Sequence, residues 1–166
     1  LRTLLEPEIS IEVIENRALI ALQGPASETV LSEFNSQISA MKFMDIDTLS
    51  IAGNDCWISR SGYTGEDGFE ISIPSSAAEA ITRSIVSKQE VEFIGLGARD
   101  SLRLEAGLCL YGHDIDEETT PVEASLTWAI QKARRTNGER ANGFLGDEII
   151  TQQLDTGTYR KRVGFL

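Results

Sequence analysis

The amino-acid sequence predicts an α+β fold in which antiparallel or mixed sheets carry packed helices. Strand-like alternation occurs in short stretches that pair across tight turns, and helix-like periods separate these pairs. The order of the elements lacks the regular strand–helix alternation of a parallel sheet. The chain has 166 residues, 41% of them hydrophobic and 25% charged, which is ordinary for a globular domain with its own core.

The first elements are two short strands and a helix. Residues 9–13 and 18–23 alternate as strands do, around a turn at residues 15–17. Gly24 and Pro25 then begin a helix, because proline is pre-organised for the first helical position. The apolar stripe of this helix consists of Val30, Leu31 and Phe34.

A hairpin and a further strand follow. The hairpin extends over residues 43–61 and turns at residues 53–55, whose sequence Gly-Asn-Asp is typical of turns. The next strand covers residues 69–73, where three apolar side chains alternate with polar ones. Glu70 is therefore expected on the face opposite these apolar side chains.

Three helices are predicted in the rest of the chain. Ser76 and Glu79 form a capping box at the start of the first, whose apolar residues then recur every four positions. The second helix covers residues 96–106, and the third begins near Gly146.

The remaining segments are predicted to lack helices. Residues 112–124 are polar and interrupted by proline, and we expect them to form an ordered loop. Residues 133–143 are basic and contain Gly and Asn, which predicts a mobile connector. Residues 159–166 are expected to begin a new strand.

Composition and charge exclude several classes of function. The net charge of −11 argues against binding to nucleic acid, which depends on Lys and Arg at phosphates. No apolar run approaches the roughly 20 residues of a membrane span. The single histidine, His113, stands in an acidic run without the geometry of a hard-cation site, so no metal is predicted. Cys56 and Cys109 lie in apolar stretches, which predicts buried free thiols in a reducing compartment.

A candidate site begins in residues 59–72, with the sequence SRSGYTGEDGFEIS. Its glycine-rich turn is either a plain tight hairpin or the rim of a pocket, since glycine permits the close approach of another group. Just beyond the turn, the carboxylate of Glu70 can accept two N–H groups from a planar heterocycle such as a guanidine-like pyrimidine. Tyr63 either stacks on such a ring or covers the core.

The helix at residues 96–106 supplies two arginines as further candidate residues. On a helical wheel, Arg99 and Arg103 fall on the apolar side. The apolar residues of that side are Leu96, Leu102 and Ala106. An inward charge must be paired or reach a ligand, because burying it alone is costly. The two interpretations are an ion pair with a residue such as Asp100 and a pocket shared with Glu70.

Several long motifs carry a resemblance to a known family. They are ALQGP at 21–25, GYTGEDGFEI at 62–71, GLGARDSLRLEAGLCLYGHDIDEETTPVEASLTWAI at 95–130 and RKRVGF at 160–165. Together they resemble the aminomethyltransferases, or T-proteins, of the glycine cleavage system over nearly the whole chain. Because members of that family are longer at both ends, residues 1–158 are expected to be part of the folate-binding domain. Residues 159–166 are then the start of a C-terminal β-barrel domain.

The resemblance implies a tetrahydrofolate-dependent transfer of an aminomethyl group. The group comes from the lipoyl arm of H-protein, and the products are ammonia and 5,10-methylenetetrahydrofolate. The implied partners are therefore lipoylated H-protein and tetrahydrofolate as co-substrate, with no metal, nucleic acid or membrane. The implied location is the bacterial cytoplasm or the mitochondrial matrix.

The resemblance also assigns roles to individual residues. Glu70 matches the glutamate that hydrogen-bonds the pterin ring, Arg99 matches a substrate-binding arginine, and Tyr63 matches a tyrosine of the pocket wall. The essential aspartate of the family is expected in an N-terminal part outside this segment, so no catalytic residue is expected within it. The basic residues in and beside the connector are expected either to dock H-protein or to form a solvated loop or a surface packed on the barrel domain. These residues are Lys132, Arg134, Arg135 and Arg140.

Two alternatives remain at this point. The folate-linked domains of sarcosine and dimethylglycine dehydrogenases share parts of the central motif, but they usually read Lys-Gly-Tyr where this chain has Ala106-Gly107-Leu108. The other alternative is a non-catalytic folate-binding scaffold. The related folate-binding proteins of iron–sulfur assembly carry a Lys-Gly-Cys-Tyr signature, which this chain lacks.

Overall fold

The computed structural model describes residues 9–165, which form two units. The first unit ends at Ala106 and the second begins at Gly107. Tyr63, Glu70 and Arg99 all belong to the first unit, so the candidate site can be built from that unit alone.

The first unit is built on a four-stranded antiparallel sheet in the order β1-β4-β3-β2. The strands are β1 (Arg17–Gln23), β2 (Ile46–Ile51), β3 (Asn54–Ser59) and β4 (Gly68–Pro74). The helices are α1 (Ser27–Ser32), α2 (Ala78–Val86) and α3 (Leu96–Glu105), with 3-10 turns at Ser36–Ala40 and Ser75–Ala77. The predicted α+β class with an antiparallel sheet is confirmed.

One face of this sheet carries the core. The apolar residues of β4 are fully buried, and the partners of Phe69 and Ile71 on β1 are Leu22 and Ile20. Burying one such aliphatic or aromatic side chain contributes about 1.5–3 kcal/mol. The helices α1 and α2 pack on this face with Val30, Leu31, Ile81 and Ile85. The inward stripe predicted for α2 is confirmed, whereas α1 begins at Ser27 instead of Gly24 and Pro25 and ends before Phe34.

The opposite face of the sheet carries polar and partly exposed side chains. Leu19 on β1 and Ile46 on β2 are exposed, and the guanidinium of Arg17 lies 3.9 Å from the ring centroid of Trp57. Glu70 lies on this face, because alternate residues of β4 point to opposite sides and Phe69 and Ile71 point into the core. The predicted orientation of Glu70 is confirmed.

The hairpin between β2 and β3 forms as predicted, but its turn lies one residue earlier. Asn54 and Asp55 already pair with Ile51 and Ser50 in the ladder. The two connecting residues, Ala52 and Gly53, have φ angles of 48° and 77°. Two consecutive positive φ angles match the right-handed twist of the flanking strands, which places the turn at these two residues.

The predicted capping box is wrong. Ser76 lies inside the 3-10 turn, so Ala77 takes the N-cap position of α2 and makes no side-chain cap. Glu79 instead accepts a hydrogen bond from Arg83 at 2.9 Å, one helical turn later. The extra turn shifts the helix start past the serine that was expected to cap it.

Two predicted strands are not formed. Residues 9–13 expose their apolar side chains and belong to no ladder, because no described strand lies beside them. Residues 159–165 form no strand either, and the backbone N–H of Arg162 donates to the carbonyl of Glu123 at 2.7 Å. The last predicted position, Leu166, lies outside the described residues. Alternation produces a strand only where a neighbour supplies hydrogen bonds.

Helix α3 has the predicted bounds, but only part of its predicted inward side is buried. Leu96 is 85% exposed and Leu104 is 60% exposed, whereas Arg103 is only 3% exposed. Leu102 and Ala106 are exposed as well. The expected burial of Leu96, Leu102 and Ala106 is therefore wrong for the described chain, whereas the inward position of Arg103 is confirmed. The buried side chain of this short helix is that of Arg103.

The second unit is dominated by turns. Among its described residues it has one α-helix, α4 (Asp147–Thr156), and 3-10 turns at Thr127–Ala129 and Lys132–Arg134. The segment 112–124 is an ordered loop, as predicted, and is held by its own side chains. The hydroxyl of Thr119 donates to Asp116 at 2.6 Å, and Arg160 donates to Glu123 at 3.0 Å. This last bond joins two of the long motifs.

Two arginines of the basic connector donate hydrogen bonds to backbone carbonyls in and next to the connector. Arg134 donates to the carbonyls of Arg140 and Asn142 at 3.3 and 3.0 Å. Arg135 donates to the carbonyls of Ile130 and Thr127 at 3.1 and 2.5 Å. These bonds satisfy backbone acceptors that the loop would otherwise leave to solvent. Lys132 and Arg140 keep exposed side chains, while Arg134 and Arg135 are half-buried.

Both cysteines are free thiols, as predicted. Cys56 is fully buried in the core, and burial raises the pKa of its thiol. Cys109 is only half-buried, so the expectation that it is buried is wrong. Across residues 9–165, no helix has the length and apolar character needed to cross a membrane.

Candidate functional site

The glycine-rich turn between β3 and β4 is shaped around one side chain, that of Gln23. A Cβ atom on Gly62 would lie 1.8 Å from Oε1 of Gln23, and a Cβ on Gly68 would lie 2.5 Å from its Nε2. Real Cβ contacts are never this short, so only glycine fits at these two positions while Gln23 stays in place. The glycines therefore allow the close approach of Gln23, which is compatible with both the plain hairpin and the pocket rim.

Gln23 fastens the turn through both ends of its amide. Nε2 donates to the carbonyls of Ser61 and Phe69 at 3.1 and 3.3 Å, and Oε1 accepts from the hydroxyl of Thr64 at 3.1 Å. Sequence reasoning missed this residue. Its only signal was a polar amide that ends an apolar strand just before Gly24 and Pro25.

Arg60 anchors the base of the same turn and was also missed. It donates to both carboxylate oxygens of Asp67 at 3.0 and 2.6 Å, to Glu28 of α1 at 2.5 Å and to the carbonyl of Met41 at 2.7 Å. Its side chain is 16% exposed. The carboxylates hold the pKa of Arg60 above its ordinary value, and the hydrogen bonds from Arg60 lower the pKa of Asp67. Three separate segments are joined at this guanidinium.

Glu70 stands between small residues on the outer face of the sheet. Its register partners are Ala21 on β1 and Ser59 on β3, and the hydroxyl of Ser61 donates to its Oε2 at 2.8 Å. Its side chain is half-buried. Among residues 9–165, Oε2 accepts from Ser61 and Oε1 accepts no hydrogen bond. The carboxylate can therefore accept N–H groups from a ligand.

Tyr63 and Arg99 are brought together by the tertiary fold. The guanidinium carbon of Arg99 lies 5.0 Å from the centroid of the Tyr63 ring, which is a cation–π distance. Both side chains are half-buried. Arg103 lies one turn further along α3 and pairs with Asp100 at 2.8 Å. The ion-pair interpretation is confirmed for Arg103, and the ligand interpretation stays a prediction for Arg99.

Arg99 also lines a cavity of about 510 Å³ in the first unit. The other walls come from β1, from α2, from Thr64 of the turn and from residues 90–96. Ala21, the register partner of Glu70, lines the same cavity. Glu70 and Tyr63 are not among the residues that line it. The structure thus joins Arg99 to Tyr63 directly and joins Glu70 to the turn through Ser61.

Comparison with known proteins identifies the family of this chain. The family model described as the GCVT N-terminal domain matches residues 3–134. The mitochondrial aminomethyltransferase of Solanum tuberosum is 50% identical over 161 residues, covering 95% of this chain and 39% of the relative. The corresponding protein of Dictyostelium discoideum is 47% identical over 168 residues, covering 96% of this chain and 41% of the relative.

A solved structure is similar as well. The glycine cleavage system aminomethyltransferase T from Bartonella henselae superposes with a TM-score of 0.74 at 44% identity, over 85% of this chain and 37% of that one. The chain thus spans about two fifths of the length of the curated relatives that it matches. Because the family model covers most of the sequence, this chain belongs to the GCVT N-terminal domain family.

Proposed function

We propose that this chain is part of a tetrahydrofolate-dependent aminomethyltransferase of the glycine cleavage system. The observation that supports it most is the presentation of Glu70 on an outer sheet face, beside a turn whose Tyr63 contacts Arg99 of α3. The relatives described above carry the name aminomethyltransferase, and the sequence of this chain is 50% identical to one of them over 161 residues. Because the names of these relatives include the word mitochondrial, the proposed location in a eukaryote is the mitochondrial matrix. In a bacterium the proposed location is the cytoplasm.

In this proposal the chain supplies binding groups for the folate. Glu70 accepts N–H bonds from the pyrimidine part of the pterin, for which an acceptor-only carboxylate is suited. Arg99 offers planar donors to a carbonyl or carboxylate of the substrate, and Tyr63 supports it through its ring face. The aspartate expected near the reacting nitrogens lies outside this segment. Residues 1–158 belong to the folate-binding domain in this proposal, and residues 159–166 begin the β-barrel domain.

Turnover by the full-length protein that carries this chain tests the proposal. With H-protein loaded with the aminomethyl group, we expect tetrahydrofolate-dependent release of ammonia and formation of 5,10-methylenetetrahydrofolate. We expect residues 1–166 alone to form none above a control without protein. Folate binding without any product from the full-length protein would favour the scaffold alternative, and oxidation of sarcosine or dimethylglycine would favour the dehydrogenase alternative.

The proposed partner, lipoylated H-protein, gives a second prediction about the basic connector. Since Arg134 and Arg135 hold loop carbonyls, only Lys132 and Arg140 keep exposed charges there for a partner. In a protein of net charge −11, a local basic patch is needed to attract an acidic carrier. Reversing both residues to Glu is expected to raise the KM for H-protein several-fold at low salt, with folate affinity unchanged.

A matched control separates the effect of where the reversed charges lie from the effect of how many charges are reversed. Lys42→Glu with Lys161→Glu makes the same change in net charge at two other exposed lysines. The difference between the two double variants should shrink as salt is raised, because exposed charges are screened beyond about 8 Å at physiological ionic strength. Equal KM values for both double variants across the salt series would exclude the connector as the docking surface.

A further inference from the structure

The carboxylate of Glu70 lies at the end of a chain of two serine hydroxyls. Oγ of Ser61 is 2.8 Å from Oε2 of Glu70, and Oγ of Ser59 is 2.9 Å from Oγ of Ser61. A hydroxyl has one hydrogen to donate, and a carboxylate only accepts. Ser61 therefore donates to Glu70, and Ser59 donates to Ser61. Each bond in such a chain polarises and strengthens the next.

Both serines are fixed by the backbone around them. Ser59 is the register partner of Glu70 on the neighbouring strand β3, so its distance from Glu70 is set by the sheet. The carbonyl of Ser61 accepts from Nε2 of Gln23 at 3.1 Å, which holds the residue while its hydroxyl points to the carboxylate. Each of the two serines is thus held by a contact with a residue distant in the sequence.

We propose that Ser61, supported by Ser59, is a positioning residue that sets the rotation of the Glu70 carboxylate for its ligand. This inference rests on the proposed function, in which Glu70 binds the pyrimidine part of the folate. The terminal torsion of a glutamate side chain is broad and nearly free. Holding Oε2 in place presents Oε1 and the second lone pair of Oε2 to two parallel N–H donors. The ordering of the side chain is then complete before the ligand arrives.

A pair of nearly isosteric variants tests the hydroxyl itself. In the full-length protein, Ser61→Thr keeps a hydroxyl and Ser61→Val replaces it by a methyl group of similar size. We expect Ser61→Val to weaken tetrahydrofolate binding about five- to tenfold, and Ser61→Thr to stay close to the parent. Ser72→Ala is the control, since Ser72 lies two residues along the same face of β4 and contacts Arg17 instead of Glu70. Equal affinities of the Val and Thr variants would overturn the proposal.

A double-mutant cycle separates positioning from a general structural effect. Because Ser61 acts through Glu70, Ser61→Val should have no further effect on affinity when Glu70 is already Ala. The same five- to tenfold loss in both backgrounds would show a structural role and would contradict the inference. If Glu70→Ala alone leaves folate affinity unchanged, the assignment of Glu70 fails, and the positioning role fails with it. If Glu70→Ala weakens binding but Ser61→Val does not, only the positioning role fails.

Discussion

Replacing Glu70 by Gln in the full-length protein is expected to weaken tetrahydrofolate binding about 10- to 100-fold. A hydrogen bond to a charged acceptor contributes about 1.5–3 kcal/mol, and the amide of Gln replaces one acceptor oxygen of the carboxylate by an NH2 donor group. Ser61 keeps a partner in this variant, because the amide oxygen of Gln still accepts its hydroxyl. Calorimetric titration of the folate measures the effect directly.

Glu66→Gln provides the matched control for this prediction. Glu66 lies in the same turn, has an exposed side chain and loses the same charge, but it is not on β4. Its variant should bind folate like the parent. Unchanged affinity in Glu70→Gln, or an equal loss in both variants, would remove Glu70 from the binding site.

Replacing Arg60 by Ala is expected to lower the free energy of unfolding of the protein by about 2–3 kcal/mol. The change removes the bonds to Asp67, Glu28 and the carbonyl of Met41 at once. Breaking a fully buried ion pair costs about 3–5 kcal/mol, but both carboxylates here are more than a third exposed, which reduces the loss. Denaturant unfolding followed by fluorescence measures the difference.

Arg83→Ala is the control for an ion pair without burial. Arg83 and Glu79 form an i,i+4 pair whose side chains are 76% and 79% exposed, and such pairs contribute about 0.3–0.5 kcal/mol. If Arg60→Ala costs no more than Arg83→Ala, the anchoring role of Arg60 is wrong.

The dependence of the free energy of unfolding on pH, measured in the acid range, gives an independent check on the role of Arg60. The pKa of Asp67 is lowered in the folded state by its bonds to Arg60. Its stabilising contribution is therefore present above its unfolded pKa of about 3.9 and is lost as the pH falls through the lower folded value. The stability difference between the parent and Arg60→Ala should accordingly shrink below about pH 4.

Much of the fold followed from local signals in the sequence. The hairpin, β4, α2, α3 and α4 lie close to their predicted bounds because alternation, turn composition and four-residue periodicity act between near neighbours. The outward orientation of Glu70 followed from strand alternation alone. The strand signal failed at residues 9–13 and 159–165, which have no neighbouring strand among the described residues.

The sequence by itself determined the class of the fold, the face of Glu70 and the family of the chain. Only the tertiary structure decided how the site is held. Gln23 reaches Ser61 across 38 positions, and Arg60 reaches Glu28 across 32. It also decided that α3 exposes Leu96, against the helical wheel, although the burial of Arg103 agrees with the wheel. A periodic pattern records which residues share a face, but the partner of a buried polar group is chosen by whichever distant segment folds against it.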